Sequence, residues 1–224
     1  MLIQPENDRW KRFAISGILF VLLAAMLKGQ SMILQLVDSV FQSLFTNPNG
    51  NNHFVHFLMS LISFLGSPKM DLLWMLIIAF LLWGFKLKIP ALWTICTVVG
   101  GDALGWIVKH IVKRARPVQH MAKDDGYSFP SGHVLGFFLV AGVLMLIVVP
   151  LIRRQSTRII CQILLVFAVL LLAISRVYLW AHYPVDTIGA MLLGYTWLQV
   201  AEWLYVVIAP WLKQNFRLVH NSLY

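Results

Sequence analysis

Long apolar runs, closed by charged residues or by proline, divide the chain into six candidate membrane spans. Each run holds few charged residues and approaches the roughly 20 residues that a helix needs to cross a bilayer. The pattern therefore predicts a bundle of transmembrane helices. The predicted spans cover approximately Phe13–Leu27, Met70–Phe85, Pro90–Val112, Ser131–Pro150, Ile159–Tyr178 and Pro184–Leu212.

A polar stripe on an otherwise apolar segment precedes the second span. Its members recur at helical spacing, which is typical of an amphipathic helix lying in the membrane interface. A Gly-Ser-Pro sequence at 66–68 should end this helix, since proline and glycine interrupt regular helices. The stripe consists of His53, His56, Ser60 and Ser63.

Composition supports the same class of protein. The 224 residues are 59% hydrophobic and 12% charged, with a mean hydropathy of +0.77, whereas soluble domains carry about 25% charged residues. We therefore expect an all-α polytopic membrane protein, with residues 1–224 forming one six-span domain. Cys96 and Cys161 both fall inside apolar spans and lack metal-ligand spacing.

The distribution of basic residues indicates how the spans are oriented. With six spans both termini lie on one side, and that side collects ten of the 18 Lys and Arg residues, in segments 9–12, 86–88, 153–158 and 213–217. The positive-inside rule places these segments in the cytoplasm. The net charge of +9 is thus explained by topology and by one basic site, and we expect no nucleic-acid partner.

Three polar clusters then fall at the opposite, non-cytoplasmic level. The first ends the third span and contains Lys109 and Arg116, seven residues apart and on one face if the helix continues. The second, Ser131-Gly132-His133, opens the fourth span, where free backbone amides and glycine can admit an anion. The third lies between the fifth and sixth spans and contains Arg176, His182 and Asp186.

These clusters suit phosphoryl transfer. Asp186 lies four residues after His182 and in the first turn of the sixth span. It can therefore bind one imidazole nitrogen, fix the tautomer and leave the other nitrogen to attack. Cations and amides can stabilise the charge on the transferred group, and His133 can serve as the general acid and base. No carboxylate cluster is present for two metals, so we expect neither metal nor cofactor.

The residues also carry a resemblance. Lys109-x6-Arg116-Pro117, Pro130-Ser131-Gly132-His133 and Ser175-Arg176-x5-His182-x3-Asp186 resemble the three signature motifs of the type 2 phosphatidic acid phosphatase superfamily. All three are complete and in order, and the six-span layout extends the resemblance over essentially the whole chain.

The resemblance implies a role for each matching position. His182 would be the nucleophile, Asp186 its partner and His133 the general acid/base. It also implies catalysis without metal, and phosphate binding by five residues: Lys109, Arg116, Ser131, Gly132 and Arg176.

We therefore expect an integral membrane lipid phosphatase in the plasma membrane, with its site on the extracytoplasmic face. It would hydrolyse a phosphate monoester or diphosphate through a phosphohistidine intermediate. The resemblance suggests undecaprenyl diphosphate, phosphatidylglycerol phosphate or phosphatidate as substrate, without ranking them. A lipid phosphotransferase using the same phosphohistidine is the alternative. A haloperoxidase is disfavoured by the six spans, and a non-enzymatic membrane protein by the complete motifs. The sequence leaves the oligomeric state open.

Other polar residues allow simpler interpretations. His53 and His56 are expected to be interfacial side chains, and Glu202 to lie at the cytoplasmic interface. Asp102 lies two helical turns before Lys109, where a structural pairing with a basic or polar group is favoured over a proton relay. Ser131 can cap its helix as well as bind phosphate.

Overall fold

A computed structural model describes residues 1–45, 52–118 and 126–223. The described residues form eight α-helices: α1 (Arg9–Lys28), α2 (Met32–Ser43), α3 (His53–Leu65), α4 (Pro68–Gly84), α5 (Lys88–Val112), α6 (Gly132–Val143), α7 (Gln155–Tyr178) and α8 (Pro184–Asn215). A π-helical segment, Leu144–Val148, and a 3-10 turn, Val149–Leu151, extend α6.

The long apolar helices correspond to the predicted spans. Five elements are long and apolar enough to cross a membrane: α1, α5, α6 with its extension, α7 and α8. The bent pair α3–α4, with 53° between its helices, meets the same criterion when its two helices are taken as one span, which brings the count to six. The expectation of an all-α, six-span protein is therefore confirmed, although α3 and α4 qualify as a span only together.

One short helix, α2, was not predicted from the sequence. Helix α2 has only 12 residues, too few for a span, and its apolar run is interrupted by Asp38 and Gln42. These two side chains are buried against the rest of the protein and lie one helical turn apart. Helix α2 contacts the first part of the protein's last helix, α8.

The end of α5 differs from one expectation. The helix stops at Val112, because Lys113 adopts a left-handed conformation with φ 55°. Arg116 is therefore not on the same helical face as Lys109 and reaches the site from a non-helical segment. Residues 119–125, in the connection between the third and fourth predicted spans, lie outside the described residues.

Close helix packing brings the functional ends together. Helix α8 contacts α1, α5 and α6, and leucine side chains from α6 fill the space above glycines of α5 and α8. A Cβ atom at Gly101 would lie 2.2 Å from Leu139, and one at Gly105 would lie 2.4 Å from Leu135. The bundle therefore holds the C-terminal ends of α5 and α7 beside the N-terminal ends of α6 and α8, which we call the site end.

The opposite end is fastened by polar contacts. Arg9 pairs with Glu202 at 3.3 Å, and the Lys88 ammonium donates to the Leu218 carbonyl at 2.9 Å. Glu202 is buried, so it meets Arg9 inside the protein and not in water. Arg9 and Glu202 are 193 residues apart in the chain, so no local spacing in the sequence predicts their pairing.

Candidate active site

His182 occupies the short connection between α7 and α8. The chain turns sharply after α7, with Trp180 at φ 56°, and the His182 amide donates to the Arg176 carbonyl at 3.2 Å. Pro184 then begins α8, in the first helical position that proline favours. The turn places the His182 side chain inside the protein, with only 1% of the residue exposed.

One imidazole nitrogen faces a fixed cation. Arg116 Nη1 lies 3.2 Å from His182 Nε2 and 2.7 Å from the Ala181 carbonyl, to which it donates. Arginine can only donate hydrogen bonds. His182 Nε2 therefore carries a lone pair, and the proton of the neutral ring is on Nδ1.

The other nitrogen faces a hydroxyl and a carboxylate. His182 Nδ1 lies 3.4 Å from Ser128 Oγ and 3.6 Å from Asp186 Oδ2, and the Ser128 hydroxyl donates to the same Asp186 oxygen in a short hydrogen bond. Asp186 thus acts on the ring both directly and through Ser128. Ser128 was not predicted to belong to the site, although it lies only three residues before Ser131.

The Asp186 carboxylate is fully buried and has further donors. The Tyr183 amide donates to Oδ2 at 3.0 Å, and Arg114 Nη1 donates to Oδ1 at 2.6 Å. Arg114 pairs in addition with Asp38 of α2. Neither Arg114 nor Asp38 was predicted to belong to the site.

Burial sets the protonation of His182. Removal from water lowers the pKa of the imidazole to about 4, Asp186 partly opposes this shift, and Arg116 and Arg176 reinforce it. The ring is therefore neutral at physiological pH, as a nucleophile must be.

The start of α6 provides groups that suit an anion. The Ser131 amide donates to the Asp186 carbonyl at 3.2 Å, which ties α6 to α8. Its side-chain oxygen makes no helix-capping hydrogen bond and, although fully buried, has no hydrogen-bond partner among the described residues. Capping therefore does not account for this hydroxyl. A Cβ atom at Gly132 would lie 3.9 Å from Lys109 Nζ, so the ammonium lies beside the helix start.

The remaining predicted residues join the same site. Lys109 Nζ donates to the Tyr127 carbonyl at 3.2 Å, and Arg176 Nη1 donates to Ser63 of α3. The charges that act on His133 come from the other members of the cluster. The eight residues that the sequence singled out are thus brought together: Lys109, Arg116, Ser131, Gly132, His133, Arg176, His182 and Asp186.

The structure also describes four polar residues outside the motifs. Ser63 is buried and contacts Arg176, so it does not face the interface with the rest of the stripe. His53 and His56 are exposed. The charge of Asp102 acts on the buried carboxyl of Asp71. Within residues 1–45, 52–118 and 126–223, no group of three or more His, Cys, Asp or Glu side chains could hold a metal ion.

The fold and the site together define a membrane-embedded helical bundle with a histidine set among fixed cations at one end. Residues 90–209 match the family model of the PAP2 superfamily, which is more than half of the chain, and the protein belongs to this superfamily. The matched region contains all three motifs.

Comparison with individual proteins gives the same family. The chain is 35% identical over 85 residues to "Phosphatidylglycerophosphatase B" of Escherichia coli K12, covering 38% of this chain and 32% of that protein. It thus spans about a third of the length of that relative. It is 27% identical over 148 residues to "Undecaprenyl-diphosphatase" of Sulfolobus acidocaldarius, covering 63% and 67% of the two chains.

A solved structure shares the fold. The crystal structure of a transmembrane PAP2 type phosphatidylglycerolphosphate phosphatase from Bacillus subtilis superimposes with a TM-score of 0.71. The alignment covers 92% of this chain and 98% of the other, at 21% identity. The likeness therefore extends over the whole bundle, including the helices outside the family match.

Proposed function

We propose that the protein is an integral membrane lipid phosphatase that hydrolyses a phosphate monoester or diphosphate through a phosphohistidine on His182. The observation that carries this proposal is the orientation of the imidazole. Nε2 presents a lone pair toward Arg116, while Nδ1 faces Ser128 and Asp186. A histidine held in this way is prepared for nucleophilic attack.

In the first step, His182 Nε2 attacks phosphorus and the bond from phosphorus to the leaving oxygen breaks. His133 gives a proton to that oxygen. In the second step, His133 takes a proton from water as the water attacks the phosphohistidine, which releases inorganic phosphate and restores His182. The Ser128 hydroxyl and the Asp186 carboxylate stabilise the positive charge that the ring acquires during attack.

Fixed cations would stabilise the transferred phosphoryl group. Its oxygens can accept hydrogen bonds from Arg116, Lys109 and Arg176. The Ser131 hydroxyl, which has no partner in the part of the chain that the structure describes, is a further donor. These groups supply the charge that metal ions provide in other phosphoryl-transfer sites. We therefore propose catalysis that does not require metal.

The position of the site supports a lipid substrate, and the distribution of basic residues supports the side of the membrane. The site lies at the end of a membrane-spanning bundle, so a phosphate attached to a lipid can reach it from the bilayer. The names of the relatives suggest phosphatidylglycerol phosphate or undecaprenyl diphosphate, and we retain phosphatidate as a third substrate class. The basic segments at the opposite end favour a plasma-membrane protein with an extracytoplasmic site.

The direct test is phosphate release by purified protein in detergent from these three lipids, with excess EDTA present. We expect release from at least one lipid and a loss of several orders of magnitude in His182→Ala. The exposed and distant His220 provides the matched control, and His220→Ala should retain full activity. No release from any lipid, or equal activity in His182→Ala, would refute the proposal. Incorporation of ¹⁸O from labelled water into the phosphate distinguishes hydrolysis from transfer to another lipid.

A further inference from the structure

We infer that Asp38 and Arg114 are positioning residues that hold the Asp186 carboxylate behind the nucleophile and offset its charge. Helix α2 would then belong to the catalytic apparatus, although it carries none of the motif residues. This inference rests on the proposed function, and concerns two residues that the family motifs do not assign.

Arg114 bridges two buried carboxylates. Nη1 binds Asp186 Oδ1 at 2.6 Å and Nη2 binds Asp38 Oδ2. The exposed fraction of the three side chains is 13% for Arg114, 3% for Asp38 and 0% for Asp186. Removing one partner from such a buried pair leaves an uncompensated charge, which is costly. The three groups are therefore coupled.

Asp38 also holds the start of α8. The Val185 amide donates to Asp38 Oδ1 at 3.0 Å, and Val185 precedes Asp186 in the first turn of that helix. One carboxylate thus fixes both the Arg114 side chain and the backbone that carries Asp186. The Tyr183 ring stacks on the other side of the guanidinium, 4.1 Å from Arg114 Cζ, which restricts it further.

The charge balance determines how strongly Asp186 acts on His182. Burial alone would lower the pKa of Arg114, but Asp186 and Asp38 outweigh burial and raise it, so the guanidinium stays charged. This charge offsets Asp186 and limits the pull of the carboxylate on a proton at His182. Without Arg114, the His182–Asp186 pair would bind a proton more tightly and lose its free nucleophile at a higher pH.

Three further groups, besides Asp38 and Arg114, influence the charge of His182. They come from the segment after α5, from α6 and from α7, and each opposes protonation of the ring. Substitutions at positions 38 and 114 leave these groups in place, and so isolate the effect of the arginine bridge. The groups are Arg116, His133 and Arg176.

A cavity gives access to the bridge from the site end. It has a volume of about 730 Å³ and its lining includes Asp38, Arg114 and Tyr183 on one side and Lys28 on another. His182 and His133 are not part of the lining. A small planar cation such as guanidinium can therefore occupy the space that Arg114→Ala would open, without entering the proposed phosphate site.

The first test compares steady-state kinetics of three variants. Arg114→Met should lower kcat by roughly ten- to a hundredfold with little change in KM, because the phosphate-binding residues are untouched. It should also move the acidic limb of the pH–rate profile upward by about one unit. Asp38→Asn should lower kcat without moving the acidic limb of the pH–rate profile upward, because the charge of Arg114 is then balanced by Asp186 alone. Lys28→Ala, in the same cavity, should behave as wild type.

Chemical rescue separates positioning from a general loss of folding. Added guanidinium chloride at millimolar concentration should restore part of the activity of Arg114→Ala, whereas sodium chloride at equal ionic strength should not. Restoration by both salts, or by neither, would contradict a specific role for the guanidinium.

A second measurement does not depend on activity. The titration of His182, followed by NMR of protein labelled with ¹⁵N-histidine, should move to higher pH in Arg114→Met and not in Asp38→Asn. An unchanged titration would overturn the inference even if the kinetics changed. If wild-type protein hydrolysed no lipid phosphate, the proposed function would fail, and the titration would still decide whether Arg114 offsets Asp186.

Discussion

Ser128 connects the carboxylate to the imidazole, and its removal tests how that connection works. The hydroxyl donates to Asp186 and lies 3.4 Å from His182 Nδ1, while the direct separation of ring and carboxylate is 3.6 Å, too long for a good hydrogen bond. We expect Ser128→Ala to lower kcat by roughly ten- to a hundredfold, or about 1.4–3 kcal/mol of barrier. Phosphate-release kinetics measure this loss.

Ser39→Ala is the matched control, since Ser39 is an exposed serine whose hydroxyl donates to the Gln35 carbonyl within α2. It should retain wild-type kcat. Ser128→Ala with kcat within twofold of wild type would show that Asp186 acts on His182 without the hydroxyl.

The motif residues were predictable because each combines an ionisable or small residue with a fixed position at a span boundary. Arg114 lies inside the spacer between Lys109 and Arg116, where nothing distinguishes it from other loop cations. Asp38 is 148 residues from Asp186 in the sequence, and only the folded chain shows that both bind one guanidinium. The buried pairing of Glu202 with Arg9 escaped prediction for the same reason.

At the scale of helices, the packing of α8 against the segment before α6 controls the geometry of the proposed phosphate site. A Cβ atom at Gly189 would lie 2.2 Å from the ring of Phe129, a fully buried side chain two residues before Ser131. Gly189→Ala must therefore displace the ring or separate the helices. We expect a loss of about 1–3 kcal/mol in stability, measured as a lower thermal midpoint in detergent, together with lower activity.

Gly84→Ala serves as the control, because Gly84 ends α4 at an exposed position and a Cβ atom there meets nothing within 4 Å. Alanine also has the higher helix propensity, so stability should be equal or greater. A thermal midpoint for Gly189→Ala equal to that of wild type would mean that the Phe129 ring can move away from the added methyl group without loss of stability.

The long helices were predictable from apolar length alone, and the structure moves their ends by only a few residues. Helix α2 was not predictable, because a 12-residue helix with inward-facing Asp38 and Gln42 has the sequence pattern of a polar connection between spans. The change to π-helical geometry at Leu144 could not be predicted from the sequence either, since that stretch is uniformly apolar. Ser63 was assigned to the wrong side, because the pattern cannot show that Arg176 approaches it.

At the scale of the whole molecule, the proposed orientation depends on the ten basic residues opposite the site. Val118 follows α5 at the site end and is 92% exposed, whereas Gln155 begins α7 at the opposite end and is also exposed. In a background of Cys96→Ser and Cys161→Ser, Val118→Cys should react with a membrane-impermeant thiol reagent added to intact cells. Gln155→Cys should react only after the membrane is opened.

The two cysteines differ in side but not in chemistry, so each serves as the control for the other. Reaction of Gln155→Cys first would invert the orientation and place the site at the cytoplasmic leaflet. Hydrolysis of an extracytoplasmic lipid diphosphate would then be excluded as the task of this protein.

The central claim is that His182 becomes covalently phosphorylated during turnover. Rapid acid-free quenching of the protein with a ³²P-labelled lipid phosphate, followed by proteolysis and mass spectrometry, measures this directly. An acid-labile phosphate should be found on the peptide that contains His182, and none should form in His182→Ala. A phosphorylated residue other than His182, or turnover by His182→Ala at the wild-type rate, would contradict the account.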